Sequence, residues 1–131
     1  MRLLLDSHVF LWWLQDSRRL GRAARRAIEA PTSSVFVSAA SIWELAIKIG
    51  MGTLRFRRPA DTTLDAAIGA CGFLELPVTA RQAVGVRDLP PYHGDPFDRL
   101  LAAQALSEQL RLVTADDVFE RYGVWVIAAG A

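Results

Sequence analysis

Leu3-Leu4-Leu5-Asp6-Ser7-His8-Val9-Phe10-Leu11-Trp12-Trp13-Leu14 is the stretch that decides the fold class of this chain. Leu3 to Leu5 is an apolar run too short for a helix and fit for a buried strand. Asp6 or Ser7 can cap the helix that follows. His8 to Leu14 reads as that helix, short and apolar. Phe10, Trp13 and Leu14 stand at helical spacing and would bury against a sheet, while Trp12 faces elsewhere.

The same alternation of strand and helix recurs along the chain. Arg18 to Ala30 is rich in Ala and Arg and stops at Pro31, as a helix does. Val35 to Val37 is a second strand, and Ser41 to Gly50 a helix closed by Gly50 and Gly52. Arg55 to Pro59 is a basic loop or irregular strand. Thr62 to Cys71 is helical and Phe73 to Val78 a third strand. Thr79 to Val86 is a short helix opened by a capping box, Thr79 with Gln82. Leu89 to Gly94 carries two prolines and a glycine and must be a loop. Asp95 starts a helix to about Gln109. Leu112 to Thr114, a short helix from Ala115 to Tyr122, and a fifth strand from Val124 to Ala128 complete the chain. Alternating elements of this kind predict a single α/β domain over 1–131, with a central, mostly parallel sheet of four or five strands flanked by helices. In such sheets ligands bind beyond the carboxyl ends of the strands.

Bulk properties narrow the function classes. With 131 residues, 52% hydrophobic and 22% charged, the chain is globular and long enough to bury a core without disulfides. One cysteine, Cys71, excludes a disulfide framework, and two histidines without a second cysteine exclude a zinc finger. No apolar run reaches membrane-spanning length, and Arg2 without a small-residue cleavage site does not make a signal peptide. The expected compartment is therefore a reducing cytoplasm. A net charge of +1 is not that of a DNA-coating protein. Yet among 15 basic residues only Lys48 is a lysine, and arginine suits bidentate phosphate contacts.

Carboxylates gather where ligands are expected. Asp6 follows the first strand directly, and Asp116 and Asp117 stand two and three residues past the fourth. Glu44 lies one turn into the helix after the second strand, and Asp95 and Asp98 open the helix before the fourth. Each has a structural reading as well. Ser41 and Glu44 fit a capping box; Asp95-Pro96 fits an N-cap with proline at N1; Asp98 falls at N3, where the helix dipole favours an acid. Thr114 or Asp116 can cap the last helix. Taken together, the acids at one sheet edge would repel unless some stayed protonated or a divalent cation neutralised them. Hard oxygen ligands select Mg²⁺ or Mn²⁺, which assist in-line displacement at phosphorus.

The ordered set of motifs resembles one family. Met1 to Leu14, Ser38 to Lys48 with Glu44, His93-Gly94-Asp95-Pro96-Phe97-Asp98-Arg99 running on to Gln104, and Leu112-Val113-Thr114-Ala115-Asp116 resemble the four motifs of PIN-domain proteins, specifically VapC-type toxin ribonucleases. The resemblance covers essentially the whole chain. It implies an Mg²⁺- or Mn²⁺-dependent endoribonuclease that is a homodimer and is restrained by a cognate antitoxin. Carried over by motif position, Asp6, Glu44, Asp98 and Asp116 are the metal-site acids, with Asp6 a direct ligand and Glu44 placed to hold a water. Asp95 then orients Asp98, Asp117 ranks below Asp116, and Ser7 and Thr114 hydrogen-bond metal ligands or the scissile phosphate. Hydrolysis by a metal-activated water would leave a 5′-phosphate and a 3′-hydroxyl on the RNA.

Other residues admit two readings each. Arg18, Arg22 and Arg25 at i, i+4 and i+7 form either an RNA-backbone track or a solvated helix face. Arg55, Arg57 and Arg58 form a second basic cluster. Arg99 can contact phosphate or pair with a nearby acid. His93 reads as a loop-surface residue or as an RNA contact, and Lys48 as the i+4 ion-pair partner of Glu44. Trp12, Trp13, Trp43 and Trp125 suit core or interface packing better than base stacking. Two other functions fit parts of the pattern. A receiver-like signalling domain wants paired acids after the first strand and a lysine after the last, and the chain has neither. A catalytically weak PIN-like interaction protein, acting mainly through antitoxin binding, would have no need of four mutually repelling acids.

Overall fold

The computed structural model describes residues 1–56 and 63–130. Arg57, Arg58, Pro59 and Thr62 of the segments above lie outside the described residues. The elements are β1 (Arg2–Leu5), α1 (Ser7–Leu14), α2 (Arg22–Glu29), β2 (Ser34–Ser38), α3 (Ala39–Gly50), α4 (Leu64–Ala70), β3 (Leu74–Leu76), α5 (Ala80–Gly85), α6 (Pro96–Glu108), β4 (Arg111–Thr114) and β5 (Val126–Ala128). Short 3₁₀ segments cover Val86–Asp88 and Asp117–Tyr122.

All four strand pairings are parallel and the order is β3-β2-β1-β4-β5. β1 is thus central and buried on both faces, which is why it reads as unbroken leucine rather than as an alternating pattern. Leu3 and Leu5 join Val35, Val37 and Val113 on one face, under Val9 and Phe10 of α1, Ala24 and Ile28 of α2 and Leu45 of α3. Leu4 and Leu112 point to the other face, against Leu101, Ala102 and Ala105 of α6 and Phe119 and Tyr122. From β1 the chain moves outward to β2 and β3; from β4 it moves the opposite way to β5. The carboxyl ends of β1 and β4 therefore flank the topological switch point, where a parallel sheet leaves a crevice.

Several helix starts differ from the sequence expectation, each for a local reason. α2 begins at Arg22, not Arg18, because Leu20 bridges to Gly130 and Gly21 is the N-cap. α3 begins at Ala39, not after Ser41: Ser38 ends β2 and its hydroxyl accepts from Ala40 N at 3.1 Å. Glu44 is therefore no capping-box residue but sits well inside the helix. The expected Ala115–Tyr122 helix is a 3₁₀ turn that starts at Asp117, since Asp116 is its N-cap. The Thr79–Gln82 capping box forms with both hydrogen bonds at 3.1 Å. Ser38 and Gln82 are also tied to Gln104, which is wholly buried in α6.

Candidate active site

The tight turn from β1 into α1 places Asp6 as N-cap: its Oδ1 accepts from Val9 N at 2.9 Å. Its Oδ2 accepts from the Thr114 hydroxyl at 2.5 Å, and Thr114 Oγ1 in turn accepts from Asp116 N at 3.1 Å. Thr114 is the last residue of β4 and is wholly buried, so one hydroxyl couples the ends of the two strands at the switch point. Asp116 caps the following turn through Oδ1 to Val118 N at 3.0 Å. Asp95 caps α6, accepting from Phe97 N at 2.8 Å and Asp98 N at 3.3 Å, with Pro96 in the first turn. That cap sets Asp98 at N3, facing the same crevice.

An open cavity of about 420 Å³ lies here, and Asp6, Asp98, Asp116 and Asp117 line it together with His8, Trp12, Ala115 and Phe119. His8 and Trp12, four residues apart on α1, thus share one wall. Glu44 is buried one layer away. The Ser7 hydroxyl donates to its Oε1 at 2.5 Å and Lys48 Nζ pairs with its Oε2 at 3.2 Å, as the i+4 spacing predicts. Glu44 does not line the cavity, but its charge bears on Asp98. Asp95 also stays outside the cavity lining, occupied as a cap.

The electrostatics are those of crowded carboxyls. Burial pushes the Asp6 carboxyl above its usual range against the hydrogen bonds from Thr114 and Val9, which lower it. Asp98 is pushed up to about 7, first by burial, then by the charge of Asp95; His93 opposes the rise, while Glu44 and Asp6 add to it. A carboxyl raised by burial, as Asp6 is, or by burial and neighbouring acids, as Asp98 is, is one a divalent cation would ionise. A carboxylate-rich site open to water suits a hard ion. The donor set therefore fits a hard divalent cation.

Two residues hold positions that the sequence reading did not give them. His93 is half-buried in its loop and turned inward: its Nε2 lies 3.0 Å from Oδ2 of both Asp98 and Asp116. Its placement two residues before the α6 cap, at the head of the motif that carries Asp95 and Asp98, was the signal in the sequence. Arg99 neither pairs with an acid nor faces the cavity. Its guanidinium donates to the carbonyls of Val86, Leu89 and Pro90 at 3.0–3.1 Å and to the Tyr122 hydroxyl at 3.4 Å, which fastens the loop bearing His93. Arg18, Arg22 and Arg25, read as an RNA-backbone track or a solvated helix face, do not share one helical face. Arg18 precedes α2, Arg22 is exposed, and Arg25 is paired with Asp16 at 3.2 Å and lies over the Trp13 ring. Trp43 and Trp125, expected in the core or at an interface, are 60% and 64% exposed and so lie outside the core. Trp43 stands edge-on to Phe97, and Trp125 lies under Arg111.

Among the described residues no helix is long and apolar enough to cross a membrane. Comparison with known proteins places this geometry. The chain is 36% identical over 115 residues to Ribonuclease VapC22 of Mycobacterium tuberculosis, covering 87% of this chain and 86% of that one. The fold matches VapBC2 from Rickettsia felis, solved bound to a promoter DNA fragment, with a TM-score of 0.71 at 14% identity over 98% of this chain and 99% of that one. It also matches a toxin–antitoxin complex from Klebsiella pneumoniae, with a TM-score of 0.53 at 18% identity over 87% and 86%. The PIN domain model covers residues 3–124, including every acid of the cavity. By sequence and by fold, the chain belongs to the PIN-domain family.

Proposed function

We propose that this chain, a single PIN domain over 1–131, is a divalent-metal-dependent endoribonuclease and the toxin of a toxin–antitoxin pair. The observation that carries the reading is the convergence of Asp6, Asp98 and Asp116 on one cavity at the β1–β4 switch point. The relative named a ribonuclease supports the choice of RNA as substrate.

Asp6, Asp98 and Asp116 would hold Mg²⁺ or Mn²⁺, with Asp117 at the rim. When bound, the ion supplies a nucleophile from water at neutral pH and offsets charge on the phosphate. The remaining work falls to the chain. Thr114 and the backbone of α1 hold Asp6 in one orientation, with a free lone pair on each oxygen. Glu44, immobilised by Ser7 and Lys48, adds negative charge that draws the cation without filling the cavity. Trp12 and His8 offer a base-stacking and phosphate-contacting wall beside the acids. Arg18 and Arg22 are exposed for RNA-backbone contact. Arg25 and Arg99 are engaged within the fold, so they enter this reading only as supports for the segments they hold.

A homodimer and a cognate antitoxin belong to the same proposal, as does a cytoplasmic location where RNA is met. Exposed Trp43, Met51 and Trp125 supply apolar surface of the kind that partners cover. The test is cleavage of total and structured RNA by the purified protein with Mg²⁺ or Mn²⁺ against EDTA, beside Asp6→Asn of verified fold. Ion-dependent cleavage with 5′-phosphate ends, lost in the variant, is expected. Equal cleavage by the variant would remove Asp6 from the site. An intact RNA pool with every ion, beside tight antitoxin binding, would favour the interaction protein instead.

A further inference from the structure

His93, Asp98 and Asp116 bring ligand atoms within 4.8 Å of one another, so the imidazole is at first sight a third ligand for the ion. The other side of the ring decides otherwise. Nδ1 accepts a hydrogen bond from Asp95 N at 3.1 Å. A backbone amide can only donate, so Nδ1 carries no proton and the ring proton of the neutral imidazole is on Nε2. That nitrogen therefore donates, and it lies 3.0 Å from Oδ2 of Asp98 and 3.0 Å from Oδ2 of Asp116. A metal-ligating Nε2 needs the opposite tautomer, with Nδ1–H directed at an acceptor. Here that direction is filled by a donor.

We infer that His93 is a positioning residue: its Nε2–H bridges the inner oxygens of Asp98 and Asp116 and sets their separation for the cation, without ligating it. This rests on reading the cavity as a divalent-ion site. The ring is built in for the task. His93 N donates to the Tyr122 hydroxyl at 2.8 Å, and Arg99 fastens the loop on the other side of the residue. The Asp95 cap thus acts twice, orienting Asp98 through its carboxylate and the imidazole through its amide. The two acids come from α6 and from the end of β4, and the bridge joins these elements at the cavity itself.

The bridge can be read with and without metal. Nitrogen-15 NMR of the histidine-labelled protein in EDTA reports the tautomer directly; an Nε2–H, pyrrole-type nitrogen is expected for His93, assigned by its loss in His93→Gln. Mn²⁺ titration followed by electron paramagnetic resonance then gives affinity, and electron spin echo modulation reports any nitrogen bound to the ion. We expect Mn²⁺ to bind without directly coordinated nitrogen, His93→Ala to weaken binding about 10- to 100-fold, and His93→Gln, whose amide also donates, to recover most of that loss. An Nδ1–H tautomer, or imidazole nitrogen on Mn²⁺, would overturn the inference. Absence of any Mn²⁺ binding by the wild type would overturn the metal reading of the cavity, with the tautomer still decided by the EDTA spectrum.

Discussion

Asp98→Asn should make the metal-free protein more stable while disabling its site. In the native state the Asp98 carboxyl is held at about 7 instead of 3.8, chiefly by burial. Ionising it in the fold thus costs up to about 4 kcal/mol at 1.36 kcal/mol per tenfold. The side chain is 24% exposed, and solvent and relaxation reduce the net figure to about 1–2 kcal/mol. The sign follows from proton linkage. Between the unfolded and folded values the native state binds more protons than the unfolded chain. This group's contribution is therefore fully present below about pH 4 and is lost as pH rises through about 7. Asparagine removes the charge, keeps an oxygen for His93 and has no such loss. In EDTA at pH 8, Asp98→Asn should melt roughly 3–8 °C above wild type. At pH 5 the gap should narrow to roughly two-fifths of that, and it should close only below about pH 4. Saturating Mn²⁺ should raise the wild type, by about 2.7 kcal/mol at a hundredfold excess over Kd, and leave the variant unmoved. Thermal melts at both pH values, with EDTA and with Mn²⁺, give the answer. A variant less stable than wild type in EDTA at pH 8 would refute the argument, since the carboxylate would then be stabilising the fold.

Further outcomes follow from single contacts. Thr114→Val keeps the volume but removes the hydroxyl between Asp6 Oδ2 and Asp116 N; urea unfolding should show a loss of about 1–3 kcal/mol, with RNA cleavage reduced, and unchanged stability would mean that the strand ends are not coupled there. Arg99→Met strips the donors from three loop carbonyls. Amide exchange should quicken in the 86–95 segment while the β1 amides stay protected, and a uniform change over the whole domain would contradict a local tether. Phe10→Ala empties a wholly buried site against Phe73 and the sheet; a cost of about 3–5 kcal/mol is expected, and less than 1 kcal/mol would show that α1 does not carry this face of the core.

What could be read in the sequence was what neighbouring residues determine. Leu3–Leu5 followed by Asp6, or Leu112–Thr114 followed by Asp116, places a carboxylate at a strand end because strand length and side-chain polarity are local properties. Asp95-Pro96 specified its own cap. Helix starts were less legible where tertiary pairing decides them. Gly21 caps α2 because Leu20 is held by Gly130 across the chain, and Ser38 takes the cap of α3 that Ser41 could equally have filled. The Glu44–Lys48 pair was predictable from spacing, but not that Ser7 would hold the other oxygen. His93 and Arg99 were misread for the same reason. Their partners, Asp116, Tyr122 and the carbonyls of a proline-bearing loop, are set by how that loop folds back over α6, and no periodicity encodes it.

The central claim is that Asp6, Asp98 and Asp116 together hold a divalent cation at the carboxyl edge of the sheet. Anomalous diffraction from crystals soaked in Mn²⁺ tests it most directly. The account predicts a peak within bonding distance, about 2.0–2.3 Å, of oxygens from these aspartates, absent from Asp6→Asn crystals treated alike. A wild-type crystal whose manganese lies only elsewhere, with this cavity filled by water alone, would contradict it.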